Sequence, residues 1–194
     1  MVLLVAYKNL PRFSEDSYAH FVTTRTCESR PYFEGKELCQ IFIEELEFYR
    51  KKYGFALMGY VIMPDHVYLL LWWDKEGKPG LSISKIMNSI KTMTTKRIKR
   101  RLFYNGGVNY LGRLADVSQP ISESRNSFRL WQPSFYDFNI HSEEKLLEKL
   151  DYIHNNPVKA GLASSPCDYK WSSHKDYFKE ESQTFNEVLI GEHA

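Results

Sequence analysis

Two residues apart in YVIMPDHVYLLLWW (60–73), His66 and Tyr68 carry an imidazole and a phenol that could serve one site. On a strand, positions i and i+2 project to the same side, so this pair would point with Leu70 and Trp72. Two imidazoles there would make half a metal site, and one imidazole with one phenol makes a weaker one. The plainer alternative is a histidine that opens a strand and a tyrosine that packs in the core. Spacing alone leaves both open.

A second constellation is SEEKLLEKLDYIHNNP (142–157). At about 100° per residue, Leu146, Leu147, Leu150 and Ile153 share the arc that must pack on another element. Tyr152 falls nearly opposite, beside Lys145 and Lys149, with Asn156 one i,i+4 step away. A tyrosine between lysines and an amide suits attack on a phosphate. It suits an ordinary solvated helix face equally well.

The third is a run of charge. From Gly77 to Ala115 there are nine Lys/Arg and no Asp or Glu. Self-repulsion disfavours so one-sided a segment unless something anionic covers it, and nucleic-acid backbone is one such cover. Lys91, Lys96, Arg97, Lys99, Arg100 and Arg101 are its candidate DNA-binding residues, with Lys145 and Lys149 near Tyr152. A solvated basic helix is the alternative.

The elements that must position these groups follow from period and punctuation. YAHFVTTRT (18–26) reads as a strand, and the apolar spacing from Gly35 to Tyr53 predicts an amphipathic helix. FALMGYVIM (55–63) and HVYLLLWW (66–73) read as antiparallel strands around Pro64-Asp65. A helix is expected from about Ser82 to Leu102, then an insertion or mobile loop over 103–127. FRLWQPSFYDFNI (128–140) reads as a strand interrupted by Pro133. Ser142 caps a last helix that Pro157 should stop near Asn156. The order β-α-β-β-α-β-α predicts an α+β, ferredoxin-like or RRM-like antiparallel sheet with helices packed on one face.

The bulk composition is consistent with one domain over residues 1–194. The chain is 43% hydrophobic, and its net charge of +2 says nothing by itself about partners. Its 3 cysteines are widely spaced, fitting a reducing cytoplasm rather than a disulfide framework. MVLLVAY at the start is too short for a membrane span, so no membrane role is expected.

GYVIMPDHVYLLL resembles the HUH signature strand of the single-tyrosine transposases, whose usual form is MPxHxH followed by leucines. LWQPSFYDFNI, LDYIHNNPVKAGL and DYKWSSHKDY resemble, in order, later blocks of the REP-associated tyrosine transposase branch. YAHFVTTRT resembles its first strand. The resemblance implies a ferredoxin-like sheet that nicks and rejoins single-stranded DNA beside a folded hairpin, using Mg²⁺ or Mn²⁺. By position it makes Tyr152 the nucleophile, His66 a metal ligand and Asn156 the polar third ligand. Tyr68 stands where the second histidine belongs, which puts cleavage in question without touching the fold. The alternative is a module that holds hairpin DNA or structured RNA without cutting. Monomer and homodimer are both open.

Overall fold

In the computed structural model, residues 18–103 and 127–178 are described. Residues 104–126, almost all of the expected insertion, lie outside them, as do the two chain ends of the expected single domain.

Strand β1 (Ala19–Arg25) leads through two short 3-10 turns into helix α1 (Lys36–Tyr53). Strands β2 (Ala56–Ile62) and β3 (His66–Trp72) follow, then helix α2 (Ile83–Phe103), strand β4 (Tyr136–Ile140), helix α3 (Glu143–Lys159) and the short helix α4 (His174–Phe178). The four strands form one sheet in the order β2-β3-β1-β4, every neighbour antiparallel. Pro64 and Asp65 make the tight turn between β2 and β3, closed by the Met63 N–H donating to the His66 carbonyl at 2.8 Å. The α+β, ferredoxin-like reading holds.

One detail of the layering differs. Helices α1 and α2 cover the face that carries Val22, Ile62, Val67, Leu69 and Leu71. Helix α3 covers the other face, packing Leu146, Leu150 and Ile153 on Phe21, Val61, Tyr68 and Leu70. The reason lies in β3: its consecutive apolar residues alternate sides, so both faces of the sheet are apolar and both need cover. Each of the three α3 side chains is fully buried. Burial of that kind is worth roughly 1.5–3 kcal/mol per residue.

Gly59 sets how closely α3 approaches. A Cβ built there would stand 2.6 Å from Leu150 Cδ2 and 3.2 Å from Ile153 Cδ1. Pro157 does not end the helix, contrary to the expectation. It is buried within α3, which continues to Lys159 and closes at Gly161, whose φ is 70°. Gly161 N–H donates to Val158 and Leu162 N–H to Pro157, a Schellman closure that satisfies the last carbonyls. A proline in the final turn costs one backbone bond, and that closure plus its buried ring offset it.

Of the expected strand 128–140, only the part after Pro133 joins the ladder. Trp131 makes a single bridge to Thr26. Beyond α3 the chain runs along the outer edge of β2, where Ile62 N–H donates to the Trp171 carbonyl and Ser173 N–H to the Tyr60 carbonyl. That blocks an edge otherwise open to pairing with another strand. Ser173 Oγ also contacts His154 Nε2 of α3 at 2.9 Å, tying the helix to this segment.

His154 makes the seat of α3 sensitive to acid. Burial first, and then neighbouring His174, push its pKa down from 6.5 to about 3. Since the folded value lies below the unfolded one, its contribution is complete above pH 6.5 and is lost as pH falls from there toward 3. Stability measured by urea melts should therefore drop with a slope approaching ~1.4 kcal/mol per pH unit below pH 6. His154→Gln, which cannot take up that proton, should flatten the profile between pH 6.5 and 5.

Candidate active site

The turn before β3 and the middle of α3 meet on the face that α1 and α2 do not cover. His66 opens β3 and is buried, and its Nδ1 lies 2.5 Å from Asp65 Oδ1. Asp65 is held by Arg25 at 2.9 Å, while its backbone carbonyl accepts from Thr26 N–H at 2.8 Å. The imidazole is thus fixed from one side. Its Nε2 is buried and has no hydrogen-bond partner among the described residues. Burial lowers the His66 pKa against the opposing pull of Asp65, so the ring stands neutral with a nitrogen facing the site.

Tyr68 projects beside it, its ring centroid 4.8 Å from that of His66. Its hydroxyl lies 3.2 Å from the Tyr152 hydroxyl, and the two rings meet edge to face at 5.6 Å. The Asn156 amide pulls the pKa of both phenols down. The pair is asymmetric. Burial, followed by the bond to Tyr152, raises the pKa of Tyr68 well above the usual phenol range. The bond from Tyr68, followed by Asn156, Lys159 and Lys149, lowers that of Tyr152. Proximity to two lysines and a donated hydrogen bond both favour the phenolate, which is the nucleophilic form.

Tyr152 is 39% exposed, and its position differs from the solvated flank that periodicity suggests. Because α3 sits over β2, the arc beside its apolar stripe looks down on β3 and β1. Tyr152 therefore leans its ring against Tyr68 and Phe21. Lys149 Nζ lies 5.8 Å over the Tyr152 ring, 5.4 Å over Phe21 and 5.6 Å over Phe138, and it also pairs with Glu148. Lys145 is engaged by Glu148 at 2.5 Å.

The basic helix is arranged differently from the expectation. Lys91 is buried, with Nζ donating to the carbonyls of Gln132 and Ser134 at 2.8 and 2.9 Å. Arg97 bridges Glu44 and Glu45, and Arg101 bridges Glu37, all on α1. The anionic cover that the charge run demands is thus supplied in part by the chain's own glutamates. Among the described residues, Lys96, Lys99 and Arg100 make no ion pair and remain open to a partner. They lie on the α1/α2 side of the sheet, away from Tyr152.

Three groups escaped the sequence reading. Asp65 looked like turn chemistry alone, although a carboxylate next to a histidine is a recurring orienting partner. Lys159, 5.6 Å over the Tyr152 ring, lay past the expected helix end. Thr23 shares a sheet row with Tyr68, and only strand register reveals that.

The described residues include no group of three or more His, Cys, Asp or Glu able to hold a metal ion. His66 Nε2, the Asn156 amide and the Tyr68 phenol do form an N/O donor set around an unpartnered nitrogen. Such a set fits a hard divalent ion that keeps several of its own waters. No helix among the described residues is long and apolar enough to cross a membrane.

This geometry has relatives. A Haemophilus influenzae protein assigned as a REP-associated tyrosine transposase is 26% identical over 129 residues, which cover 64% of this chain and 62% of that protein. Among solved structures, that of a REP-associated tyrosine transposase bound to a REP hairpin has the same fold. It overlays with a TM-score of 0.62 at 18% identity, covering 89% of this chain and 86% of the other. The sequence profile of the family described as transposase IS200 like matches residues 13–110, a span that includes the Pro64–Tyr68 turn and strand start. The chain belongs to the IS200-like transposase family.

Proposed function

We propose that the protein binds a DNA hairpin and cuts and rejoins the single strand beside it through Tyr152. The observation that carries this reading is the Tyr152 hydroxyl at 3.2 Å from Tyr68, next to the unpartnered Nε2 of His66. The REP hairpin bound by the structural neighbour supports the choice of DNA. Tyr152 Oη would bond to phosphorus as the P–O3′ bond breaks, leaving a 5′-phosphotyrosine and a 3′-hydroxyl that receives the phenol proton. The ester link conserves the bond, so a second 3′ end can be joined without ATP. Tyr68 holds Tyr152 in place, and Asn156, Lys159 and Lys149 favour its ionised form. Mg²⁺ or Mn²⁺ held by His66 and Asn156 would neutralise charge on the scissile phosphate. Asp65 fixes the imidazole that would face the ion.

A second reading has its own support. With Tyr68 in place of a second imidazole, and its proton held tightly by burial, the same fold could keep hairpin DNA or structured RNA without cutting. The two readings part on a covalent product. Incubated with Mn²⁺ and a labelled hairpin carrying a single-stranded flank, the protein should form a denaturation-resistant conjugate. Tyr152→Phe should abolish it while shifting the melting temperature little, since the lost hydroxyl bond is half exposed. A conjugate that survives Tyr152→Phe assigns the chemistry to another residue, and no conjugate from the intact protein favours the binding module.

Metal affinity should depend on Asp65. Asp65→Asn keeps the shape and removes the charge behind His66, so Mn²⁺ titration should show binding weakened by ~10–100-fold. Equal affinity would place the ion away from His66.

Hairpin affinity should depend on the unpaired cations of α2. Replacing Lys96, Lys99 and Arg100 with Ala should lower the log–log salt slope by up to ~2.1–2.7 units, at roughly 0.7–0.9 per neutralised phosphate. Arg97→Ala should act mainly on stability, because it leaves Glu45 buried beside α2 without its partner. An unchanged slope in the folded triple variant moves the DNA surface elsewhere.

A further inference from the structure

The row of the sheet that carries Tyr68 does not end at the tyrosine pair. Thr23 stands opposite Tyr68 on β1, and Tyr136 stands opposite Thr23 on β4. The three side chains therefore share the face on which Tyr152 lies. Helix α3 covers the β2 and β3 part of that face and buries Ile140 of β4, leaving the Tyr136 end of β4 open. Tyr136 is 58% exposed, the most exposed large hydrophobic residue among those described. It makes no hydrogen bond or ring contact among the described residues. One exposed aromatic is unremarkable in itself. Its place in the register is what matters.

Neighbouring strands lie about 4.8 Å apart, so Tyr136 and Tyr68 are roughly 10 Å apart across the small side chain of Thr23. At ~3.4 Å of rise per stacked nucleotide, that interval spans one to three nucleotides. Phe138, two residues along β4 and on the same face, is half-buried and sits under the Lys149 ammonium at 5.6 Å. The same ammonium lies over the ring of Tyr152. An aromatic platform and a small gap thus share the Tyr68 row, and a cation lies over the next row and over the proposed nucleophile. An unpaired nucleotide meets those three features with its base, its sugar and its phosphate.

The geometry points to Tyr136 and Lys149 as a subsite for an unpaired deoxynucleotide next to the scissile phosphate, the base stacked on Tyr136 and its phosphate at Lys149. Stacking uses the face of a base and not its hydrogen-bonding edge, so the subsite positions the strand and does not read its sequence. It also lies on the edge strand β4, the border between the Tyr152 face and the α1/α2 face that carries Lys96, Lys99 and Arg100. A flank leaving a hairpin held on that second face would cross β4 to reach Tyr152. This subsite rests on the proposal that the protein handles single-stranded DNA, and the test separates the two.

The probes are a DNA hairpin with a single-stranded flank, the same hairpin without the flank, and a series with one abasic nucleotide at each flank position. The variants are Tyr136→Thr, which keeps a β-branched residue on the edge strand, and Tyr136→Trp, which keeps a platform. Tyr136→Thr should weaken binding of the flanked hairpin by about 5- to 150-fold, the ~1–3 kcal/mol of one base–aromatic stack. It should leave the unflanked hairpin unchanged, and Tyr136→Trp should bind as the parent does. One abasic position should weaken the parent and leave Tyr136→Thr unaffected. If Tyr136→Thr binds the flanked hairpin as tightly as the parent, and forms its Tyr152 conjugate as fast, the subsite is overturned and the cleavage chemistry stands. If the parent forms no conjugate but its grip on the flank still depends on Tyr136, cleavage fails and the subsite stands.

Discussion

The contact between α3 and the sheet at Gly59 governs everything that could happen at Tyr152. Leu150 and Ile153 come so close to the β2 backbone that even a methyl group at position 59 would overlap Leu150. That approach lets a helix side chain and a strand side chain bring two hydroxyls to 3.2 Å. A helix held an ångström or two further out would still bury its leucines, but Tyr152 would no longer touch Tyr68. Sites that depend on alignment lose much of their power over such distances. The fold's investment in this contact is visible in the C-terminal segment, which runs along β2 and clamps α3 through Ser173 and His154.

Given that contact, the site's electrostatics follow from depth. Tyr68 and Tyr152 are the same chemical group at two depths, and their pKa values are driven in opposite directions. The buried phenol keeps its proton and donates it as a hydrogen bond. The half-exposed one receives that bond and lies near two lysines. Tyr68 thus serves its neighbour through its proton rather than through a lone pair. His66 keeps its lone pair available because Asp65 occupies the other ring nitrogen and Arg25 holds Asp65. A carboxylate behind an imidazole fixes both tautomer and orientation.

How much of this was legible in the sequence depended on the range of the interaction. Strands, helices and their order were readable because each rests on local period and punctuation. That Tyr152 stands off the apolar stripe was readable too, from 3.6-residue periodicity. Its neighbours on β1 and β4 were not, because register between strands far apart in sequence leaves no mark in either strand. The third helix was expected on the same face as the others, although the double-sided apolar character of VYLLLWW already demanded two covers. The proline rule misplaced the end of α3 and hid Lys159, because a helix can lose one hydrogen bond where tertiary packing compensates. The charge run misled differently. Counting within a segment ignored α1, whose Glu37, Glu44 and Glu45 face Arg97 and Arg101 across the helix pair.

That last correction changes how a strand of DNA could be held. A segment with nine uncompensated cations would bind nucleic acid by charge alone, and such binding collapses steeply as salt rises. With Lys91 buried and two arginines neutralised from within, α2 offers Lys85, Lys96, Lys99 and Arg100. Of the cations near Tyr152, Lys145 and Lys149 are shared with Glu148 and Arg25 with Asp65, while Lys159 makes no ion pair among the described residues. The net charge of +2 is consistent with this economy. Tight binding then needs a contribution that salt does not screen, and the open sheet face provides one in its aromatic side chains. Phosphate contacts fix where a strand lies but not how its backbone is turned. In-line attack at phosphorus would need the second, and rings flanking Tyr152 would constrain a strand's rotation in a way that flexible lysines cannot.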